Sequence, residues 1–133
     1  MRYLLDTNVC VDYLSGRHPA VAQRIQRARP ADLGLSSVVV AELRYGADRS
    51  GRPRANHDLI DLLVAEIPCL EFDLDAASAY GHLRVRLEAA GKPIGPNDML
   101  IAAQAVSRQL VLVTDTVGEF ERVKDLRLEN WRT

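Results

Sequence analysis

The sequence predicts an α/β fold in which a central, mostly parallel β-sheet lies between two layers of helices. Short apolar segments alternate along the chain with longer segments whose apolar residues recur at helical spacing. Residues 110–113 are Leu-Val-Leu-Val, a continuous apolar run typical of a strand buried on both faces of a parallel sheet. Because 133 residues is the length of one ordinary domain, we expect residues 1–133 to form a single domain.

The chain begins with a predicted strand that leads directly into a helix. The segment 2–6 is short, mainly apolar and ends at Asp6. The polar residues from Asp6 onward are typical of a helix start, and a helix is predicted over residues 9–14. A second helix is predicted over residues 18–28, and Pro30 ends it.

The next three predicted elements are a strand and two helices. Residues 33–36 form the strand, and Ser36 or Ser37 caps a helix over residues 38–48. A helix over residues 56–67 follows, because its apolar residues recur at helical period. The apolar side of that helix is predicted to consist of Leu59, Leu62, Leu63 and Ile67.

Three further strands and two further helices complete the predicted fold. Residues 69–72 form a strand, after which Asp73 or Asp75 caps a helix that runs to Ala90. The loop that follows Gly91 leads into a helix over residues 97–108. The remaining segments are the strand at residues 110–113, a loop with a helical turn at 114–123, and a last strand at 126–131 that includes Trp131 as a core residue.

Cysteine usage and the amino-terminal sequence exclude several classes of protein. Cys10 and Cys69 lie in apolar sequence without the spacing of a zinc site, so both are interpreted as small core residues. Acidic and amide residues interrupt the apolar start of the chain, which fits neither a signal peptide nor a membrane span. A cytoplasmic protein without a membrane association is expected.

Three acidic residues are embedded in apolar sequence, namely Asp6, Glu42 and Asp98. An ionised carboxylate among aliphatic side chains loses hydration, and this loss is tolerated when a cation or several hydrogen-bond donors replace the water. Asp6 ends the first strand and Asp115 follows the fourth, so the two acids meet at one sheet edge if those strands are neighbours. We therefore predict one anionic pocket that holds Mg²⁺ or Mn²⁺ for phosphodiester hydrolysis.

Each acid also has a purely structural interpretation. Asp6 is a plausible helix N-cap, Asp98 suits the first turn of a helix, and Asp115 is ordinary in a turn. Glu42 is harder to explain in this way, because it shares an apolar helical stripe with Val38, Val39 and Tyr45 that is expected to face the sheet. The combination of these residues favours the metal site.

The charge is unevenly distributed although the net charge is only −1. Residues 17–54 contain eight arginines against three acids, about +5, whereas residues 55–133 contain eight Lys and Arg against thirteen acids, about −5. A local positive field attracts a phosphate backbone, although arginines on two solvated helices would give the same pattern. The arginines predicted to contact RNA are Arg17, Arg24, Arg27, Arg49, Arg52 and Arg54.

The order of these motifs resembles the PIN-domain ribonucleases, and specifically the VapC-type toxins of bacterial toxin–antitoxin pairs. The resemblance extends from Tyr3 to Trp131 and is carried by four motifs in order. The motifs are Leu-Asp-Thr-Asn at 5–8, Ser-Ser-Val with Glu-Leu-Arg-Tyr-Gly-Ala at 36–47, Gly-Lys-Pro-Ile-Gly-Pro-Asn-Asp at 91–98, and Leu-Val-Thr with Glu-Phe at 112–120.

The resemblance implies a metal-dependent endoribonuclease that cuts selected RNAs, often tRNA, and stops translation. Asp6 and Asp98 match the family's metal ligands, and Glu42 matches the helix acid that completes the site directly or through water. The resemblance also implies a homodimer and a VapB antitoxin whose C-terminal segment lies across the active-site groove. Such toxin–antitoxin complexes bind their promoter DNA through the antitoxin. No organic cofactor is expected.

The chain departs from the family pattern at the fourth position of the site. Thr116 stands where family members carry Asn or Asp, two residues after Thr114, and Asp115 precedes it. Asp115 is expected to take the catalytic role, or Thr116 to offer a hydroxyl to a water molecule on the metal. Thr114, Glu119 and Asn8 are further candidates for this position or for supporting contacts.

Two other functions remain compatible with the sequence. A catalytically silent module would act only by binding the antitoxin and its DNA, which the altered fourth position makes conceivable. A PIN nuclease of RNA maturation would act without an antitoxin. Metal binding distinguishes the first from an active nuclease, since an intact pocket is stabilised by Mn²⁺.

Overall fold

The computed structural model describes residues 1–133. The strands are β1 Tyr3–Leu5, β2 Leu33–Ser36, β3 Cys69–Leu70, β4 Val111–Val113 and β5 Arg127–Glu129. The helices are α1 Thr7–Ser15, α2 Pro19–Arg27, α3 Ser37–Asp48, α4 Pro53–Glu66, α5 Leu74–Ala89, α6 Pro96–Ser107 and α7 Val117–Phe120. The sequence pattern does not predict the 3₁₀ turn at Pro30–Asp32. No helix combines the length and the apolar character that a membrane span requires.

The five strands form one sheet in the order β3-β2-β1-β4-β5. Every neighbouring pair is parallel, so the sheet is wholly rather than mostly parallel. Helices flank this sheet, which confirms the predicted three-layer α/β fold. Parallel strands need long crossover connections, and the helices between the strands provide them.

The sheet order places the carboxyl ends of β1 and β4 side by side. The chain leaves β1 toward β2 and β3 on one side of the sheet, and later returns to β4 on the other side. Ligands of open α/β sheets bind at such a reversal, because the loops after the two strands diverge and leave a crevice. Leu5 is paired with Val113, and the Asp6 amide donates to the Val113 carbonyl at 3.0 Å. The residues that follow these strands, Asp6 and Thr114, are therefore neighbours.

A buried polar contact fixes α6 against the other half of the sheet. Ser36 ends β2 and caps α3, where its Oγ accepts from the Val38 amide at 3.0 Å. The same hydroxyl donates to Gln104 Oε1 of α6, and Gln104 Nε2 donates to the Leu70 carbonyl of β3 at 3.0 Å. Since Gln104 is 1% exposed, these bonds satisfy its amide and hold α6 in one register. The first turn of α6 is thereby brought to the crevice.

The predicted apolar side of α4 is wrong at two positions. Leu59 and Leu62 are 41% and 67% exposed, whereas Ile60, Leu63 and Ile67 are buried. The sequence of α4 contains two overlapping apolar stripes, and its packing on α3 selects the one that contains Ile60. The helix also starts earlier than predicted, because Pro53 occupies its first turn, where a missing amide hydrogen is not needed.

One of the two cysteines does not lie in the core. Cys10 is buried as predicted, but Cys69 is exposed because β3 is an edge strand and has no neighbour to cover it. Trp131 is 2% exposed and meets the ring of Tyr3 edge-on, with 5.1 Å between ring centroids. Trp131 is therefore anchored on the first residue of β1.

Candidate active site

Asp6 is held in one orientation by hydrogen bonds to both carboxylate oxygens. As the N-cap of α1 it accepts from the Thr7 amide through Oδ1 at 2.8 Å, and its Oδ2 accepts from Thr114 Oγ1 at 2.8 Å. The Thr116 amide donates to Thr114 Oγ1 at 3.0 Å, which leaves the hydroxyl hydrogen free for Asp6. Asp6 is 5% exposed, and its unused lone pairs remain available to a ligand.

Glu42 reaches the same region from α3, but it does not face the sheet as predicted. The buried residues of this helix are Val39, Leu43 and Ala47, whereas Glu42 is half-buried and Tyr45 is 65% exposed. Thr7 Oγ1 donates to Glu42 Oε1 at 2.7 Å. Glu42 therefore lies at the edge of the core, and a hydrogen bond links it to Thr7, the residue after Asp6.

Asp98 and Glu119 border the same glycine. Asp98 lies in the first turn of α6, and Glu119 Oε1 accepts from the Gly95 amide at 2.8 Å. A Cβ atom on Gly95 would lie 3.3 Å from Asp98 Oδ2 and 3.8 Å from Glu119 Oε1. The absence of a side chain at this position leaves room for the two carboxylates to approach each other.

The protonation of Asp98 indicates how closely the acidic residues are grouped. Burial is the largest cause that raises the pKa of Asp98 to about 7, followed by the charges of Asp6 and Glu119, a hydrogen bond with Glu119, and the charge of Glu42. Burial also raises the pKa of Asp6, while its hydrogen bonds from Thr114 and Thr7 oppose that shift. Four carboxylates therefore share one region, and a counter-charge there would be strongly favoured.

Without metal, the protein should become less stable as the pH rises from about 4 to about 7. Folded Asp98 retains its proton up to a pKa of about 7, whereas the unfolded side chain releases it near 3.8, so the folded state binds more protons in this interval. We expect a loss of about 1 to 2 kcal/mol after allowance for solvent screening at a half-buried carboxylate. Urea unfolding in EDTA at several pH values measures it.

The Asp98→Asn variant is the control for this pH dependence. Its free energy of unfolding should change less between these pH values than that of the unmodified protein, because the group that titrates has been removed. Equal pH dependence in the two proteins would show that Asp98 titrates normally in the folded state.

Asp115 lies at the border of the acidic group and is engaged by an arginine. Its Oδ1 accepts from Asn8 Nδ2 at 3.1 Å, and its Oδ2 accepts from Arg132 Nη1 at 2.8 Å. Arg132 also donates from Nε and Nη2 to the two oxygens of Asp12, at 2.7 and 3.0 Å. Thr116 contributes only its amide, and its side chain does not cap α7. Both oxygens of Asp115 are thus already occupied by donors.

Sequence reasoning does not predict the pair formed by Asp12 and Arg132. The two residues are 120 positions apart, so no local spacing connects them. Asp12 is 2% exposed on α1 and interrupts apolar sequence just as Asp6 does, which is the signal that could have drawn attention to it.

The donor set of the crevice suits a hard divalent cation held partly through water. The acidic side chains offer only oxygen atoms, which Mg²⁺ and Mn²⁺ prefer. No three of the chain's acidic, histidine or cysteine side chains are grouped closely enough to hold a metal ion between them. Like-charged carboxylates repel one another, so they would have to draw together around an ion or hold it through intervening water, as Mg²⁺ commonly permits.

A groove with a cavity volume of about 940 Å³ extends from the acidic residues between α1, α3 and α4. Thr7, Glu42 and Asn97 are among its lining residues, and Glu42 is the only acid in the lining. The remaining lining residues are mainly apolar and include Val11, Leu14, Tyr45, Leu59 and Ile60, with the cations Arg17 and Arg49. The acidic crevice and the groove are therefore continuous.

The six arginines predicted to contact RNA do not share one surface. Arg17 and Arg49 line the groove, whereas Arg24 lies elsewhere, with its guanidinium carbon 4.6 Å from the Trp131 ring centroid and Nη2 3.3 Å from Glu129 Oε1. Arg27, Arg52 and Arg54 are exposed outside the lining of the groove.

The family model of the PIN domain matches residues 3–126. The chain belongs to the PIN-domain family. Among PIN proteins, the tRNA(fMet)-specific endonuclease VapC of Shigella flexneri is 38% identical over 131 residues, and the match covers 98% of each chain. Ribonuclease VapC2 of Rickettsia felis is also 38% identical, over 133 residues and 98% of each chain.

Solved structures of VapC proteins with their VapB partners have the same fold. The DNA-bound VapBC of Salmonella typhimurium gives a TM-score of 0.93 at 34% identity, covering 98% of each chain. VapBC2 of Rickettsia felis, bound to a DNA fragment from its promoter, gives a TM-score of 0.91 at 34% identity, covering 98% of this chain and 99% of that one. These similarities place the chain in the VapC group of PIN proteins.

Proposed function

We propose that this PIN-domain protein is a metal-dependent endoribonuclease toxin that hydrolyses phosphodiester bonds of RNA and is restrained by a VapB-type antitoxin. The relatives named as a ribonuclease and as a tRNA-specific endonuclease match it over almost their full length. The observation that carries the proposal is geometric: Thr7 hydrogen-bonds to both Asp6 and Glu42, and Gly95 lies between Asp98 and Glu119, so these acids face one crevice. Transfer RNA is the proposed substrate class.

We propose that Asp6 and Asp98 bind the metal ion, and that Glu42 binds it directly or through a water molecule. The hydrogen bonds from Thr7 and Thr114, one to each oxygen, hold the Asp6 carboxylate in place and leave its other lone pairs for the ligand. Thr7 orients Glu42 in the same way. These contacts avoid a cost of reorganisation when the ligand binds.

For the fourth position we favour Glu119 over Asp115. Glu119 accepts from the Gly95 amide, and its charge is among the causes that raise the pKa of Asp98, so it already belongs to the acidic group. Asp115 is already paired with the positive charge of Arg132, which competes there with a cation, whereas Glu119 has no cationic partner. We propose that Asn8 and Thr116 stabilise the loop after β4 through their hydrogen bonds to Asp115 and Thr114.

The proton of Asp98 must leave before the site can act. Since its pKa is about 7 without a counter-ion, a bound divalent cation favours the ionised form and completes the anionic site. When bound, Mg²⁺ or Mn²⁺ would supply Lewis-acid activation of the attacking water and charge neutralisation at the leaving oxygen. The carboxylates would hold the cation at the carboxyl ends of β1 and β4.

We propose that the groove binds the antitoxin, and that it binds the RNA when the antitoxin is absent. Its apolar lining beside the acidic residues suits an amphipathic segment of a VapB-type protein that covers the site. The related VapC proteins crystallised with VapB and DNA support such an assembly, with promoter DNA bound through the antitoxin. A homodimer of this chain is part of the proposal.

Cleavage of total tRNA by the purified protein tests the proposed function. We expect new RNA ends with Mg²⁺ or Mn²⁺, none in EDTA, and none when the cognate antitoxin is added first. Sequencing of the RNA ends identifies the cleaved position. Cleavage that continues in EDTA would contradict metal dependence.

Thermal unfolding with Mn²⁺ distinguishes a nuclease from a silent antitoxin-binding module. Binding to the folded state alone raises stability by mass action, about 2.7 kcal/mol when the free ion is 100 times its dissociation constant. A protein that neither cuts RNA nor gains stability with Mn²⁺ would be the silent module.

A further inference from the structure

Tyr45 differs from the other aromatic residues of the chain in its exposure. Its side chain is 65% exposed, whereas the remaining tyrosines, phenylalanines and the tryptophan are buried or half-buried. The overall aromatic content gives no indication of a stacking surface, because these residues are few and most belong to the core. Because this exposed ring lies in the lining of the groove, its face is available to a ligand that occupies the groove.

Tyr45 lies in the groove close to the acidic residues. It follows Glu42 by three residues on α3, which corresponds to about 4.5 Å of rise and a place on the same helical side. Both residues line the groove, together with Thr7 and Asn97. A polymer lying with one bond at Glu42 would therefore place its adjoining unit beside the Tyr45 ring.

The groove carries positive charge at the same place. The guanidinium carbon of Arg49 lies 5.1 Å from the centroid of the Tyr45 ring, and Arg17 lines the groove as well. Neither arginine takes part in any of the chain's salt bridges. Two uncompensated cations beside an open aromatic ring match a phosphate backbone with an unpaired base.

We propose that Tyr45 and Arg49 form a nucleobase-binding site that selects an unpaired nucleotide of the RNA next to the cleaved bond. The base stacks on the open face of the Tyr45 ring, and Arg49 and Arg17 contact the adjoining phosphates. This inference rests on the proposed ribonuclease function. Stacking does not depend on base identity, so the site selects loops over paired stems rather than one sequence.

The same position also explains competition with the antitoxin. A protein segment lying in the groove covers Tyr45 and so removes the base site at the same time as it blocks the carboxylates. Contact of Tyr45 with the antitoxin alone, and not with RNA, is the competing outcome of the test.

The test combines tyrosine variants with stem-loop RNAs that carry one abasic nucleotide at successive positions around the cleaved bond. Removing a stacking ring costs a factor of about 5 to 150 in affinity. We expect Tyr45→Ala to raise KM by such a factor with kcat nearly unchanged, and Tyr45→Phe to restore cleavage. An abasic nucleotide at one position should raise the KM of the unmodified protein by the same factor. The same substitution should not raise the KM of Tyr45→Ala any further.

Leu62→Ala is the matched control, because Leu62 is 67% exposed on α4 and lies outside the groove lining. It should cleave like the unmodified protein. If Tyr45→Ala cleaves normally and only loses antitoxin affinity, or if abasic substitutions weaken the variant as much as the unmodified protein, the base site is refuted.

A binding measurement separates this inference from the proposed function. A stem-loop RNA with 2-aminopurine in its loop reports stacking through its fluorescence, and is titrated with the protein in EDTA. A fluorescence change that disappears in Tyr45→Ala supports the base site even if no RNA is cleaved. Cleavage together with a fluorescence change that does not depend on Tyr45 leaves the ribonuclease standing and overturns the base site.

Discussion

Replacing Asp6 or Asp98 by asparagine should reduce RNA cleavage by more than about 100-fold while the chain remains folded. Asparagine keeps the size of the side chain but removes the negative charge, and each variant leaves one anionic ligand fewer for the cation. In EDTA, Asp98→Asn should be as stable as the unmodified protein or slightly more stable, because removal of one charge relieves repulsion from Asp6, Glu119 and Glu42.

Asp6→Asn and Asp98→Asn should differ in stability because Asp6 accepts hydrogen bonds at both carboxylate oxygens. Both oxygens of Asp6 accept hydrogen bonds, from Thr7 and Thr114, so an amide nitrogen at position 6 faces one donor that it cannot satisfy. Asp6→Asn should therefore gain less stability than Asp98→Asn. Thermal unfolding with and without Mn²⁺ measures both effects, and the shift produced by Mn²⁺ should be smaller in each variant.

Asp58→Asn is a suitable control, since Asp58 is an exposed acid of α4 outside the groove lining. It should retain cleavage and the response to Mn²⁺. Full cleavage by purified Asp6→Asn or Asp98→Asn would remove the basis for assigning the metal to these residues.

Replacing Arg132 by alanine should destabilise the protein by about 2 kcal/mol, less than breaking a fully buried ion pair costs, because the Arg132 side chain is 31% exposed. The variant leaves Asp12 buried with only His18 Nε2 nearby, at 3.7 Å, and it also removes the cation that holds Asp115. The cost arises mainly from the carboxylate of Asp12, which is 2% exposed and cannot regain its hydration while the chain is folded.

Urea unfolding of Arg132→Ala measures this loss, and a second arginine provides the comparison. Arg86 forms a long contact of 3.9 Å with Asp125, and both side chains are exposed, so Arg86→Ala should leave stability unchanged. Removing Asp12 together with Arg132 should recover part of the loss, because no unpaired carboxylate then remains buried. If Arg132→Ala unfolds at the same urea concentration as the unmodified protein, the buried pair does not stabilise the fold.

Much of the fold follows from local patterns in the sequence. The apolar run at β4, the strand-to-helix junction at Asp6 and the cap at Ser36 are all settled within a few residues, and the structure confirms them. The face of α4 is different, because Leu59 and Ile60 are equally apolar. Only the neighbouring helix decides which of them is buried. Cys69 is exposed for the same reason, since nothing in its local sequence reveals that β3 lies at an edge.

The candidate site divides in the same way between sequence and structure. The sequence by itself determined that Asp6, Glu42 and Asp98 are acids in apolar surroundings, because the cost of burying a carboxylate depends on its immediate neighbours. Only the tertiary structure decided that Glu119 joins them, that Arg132 engages Asp115 and Asp12, and that Tyr45 faces an open groove. These relations depend on how elements far apart in the chain pack together, which no local sequence pattern specifies.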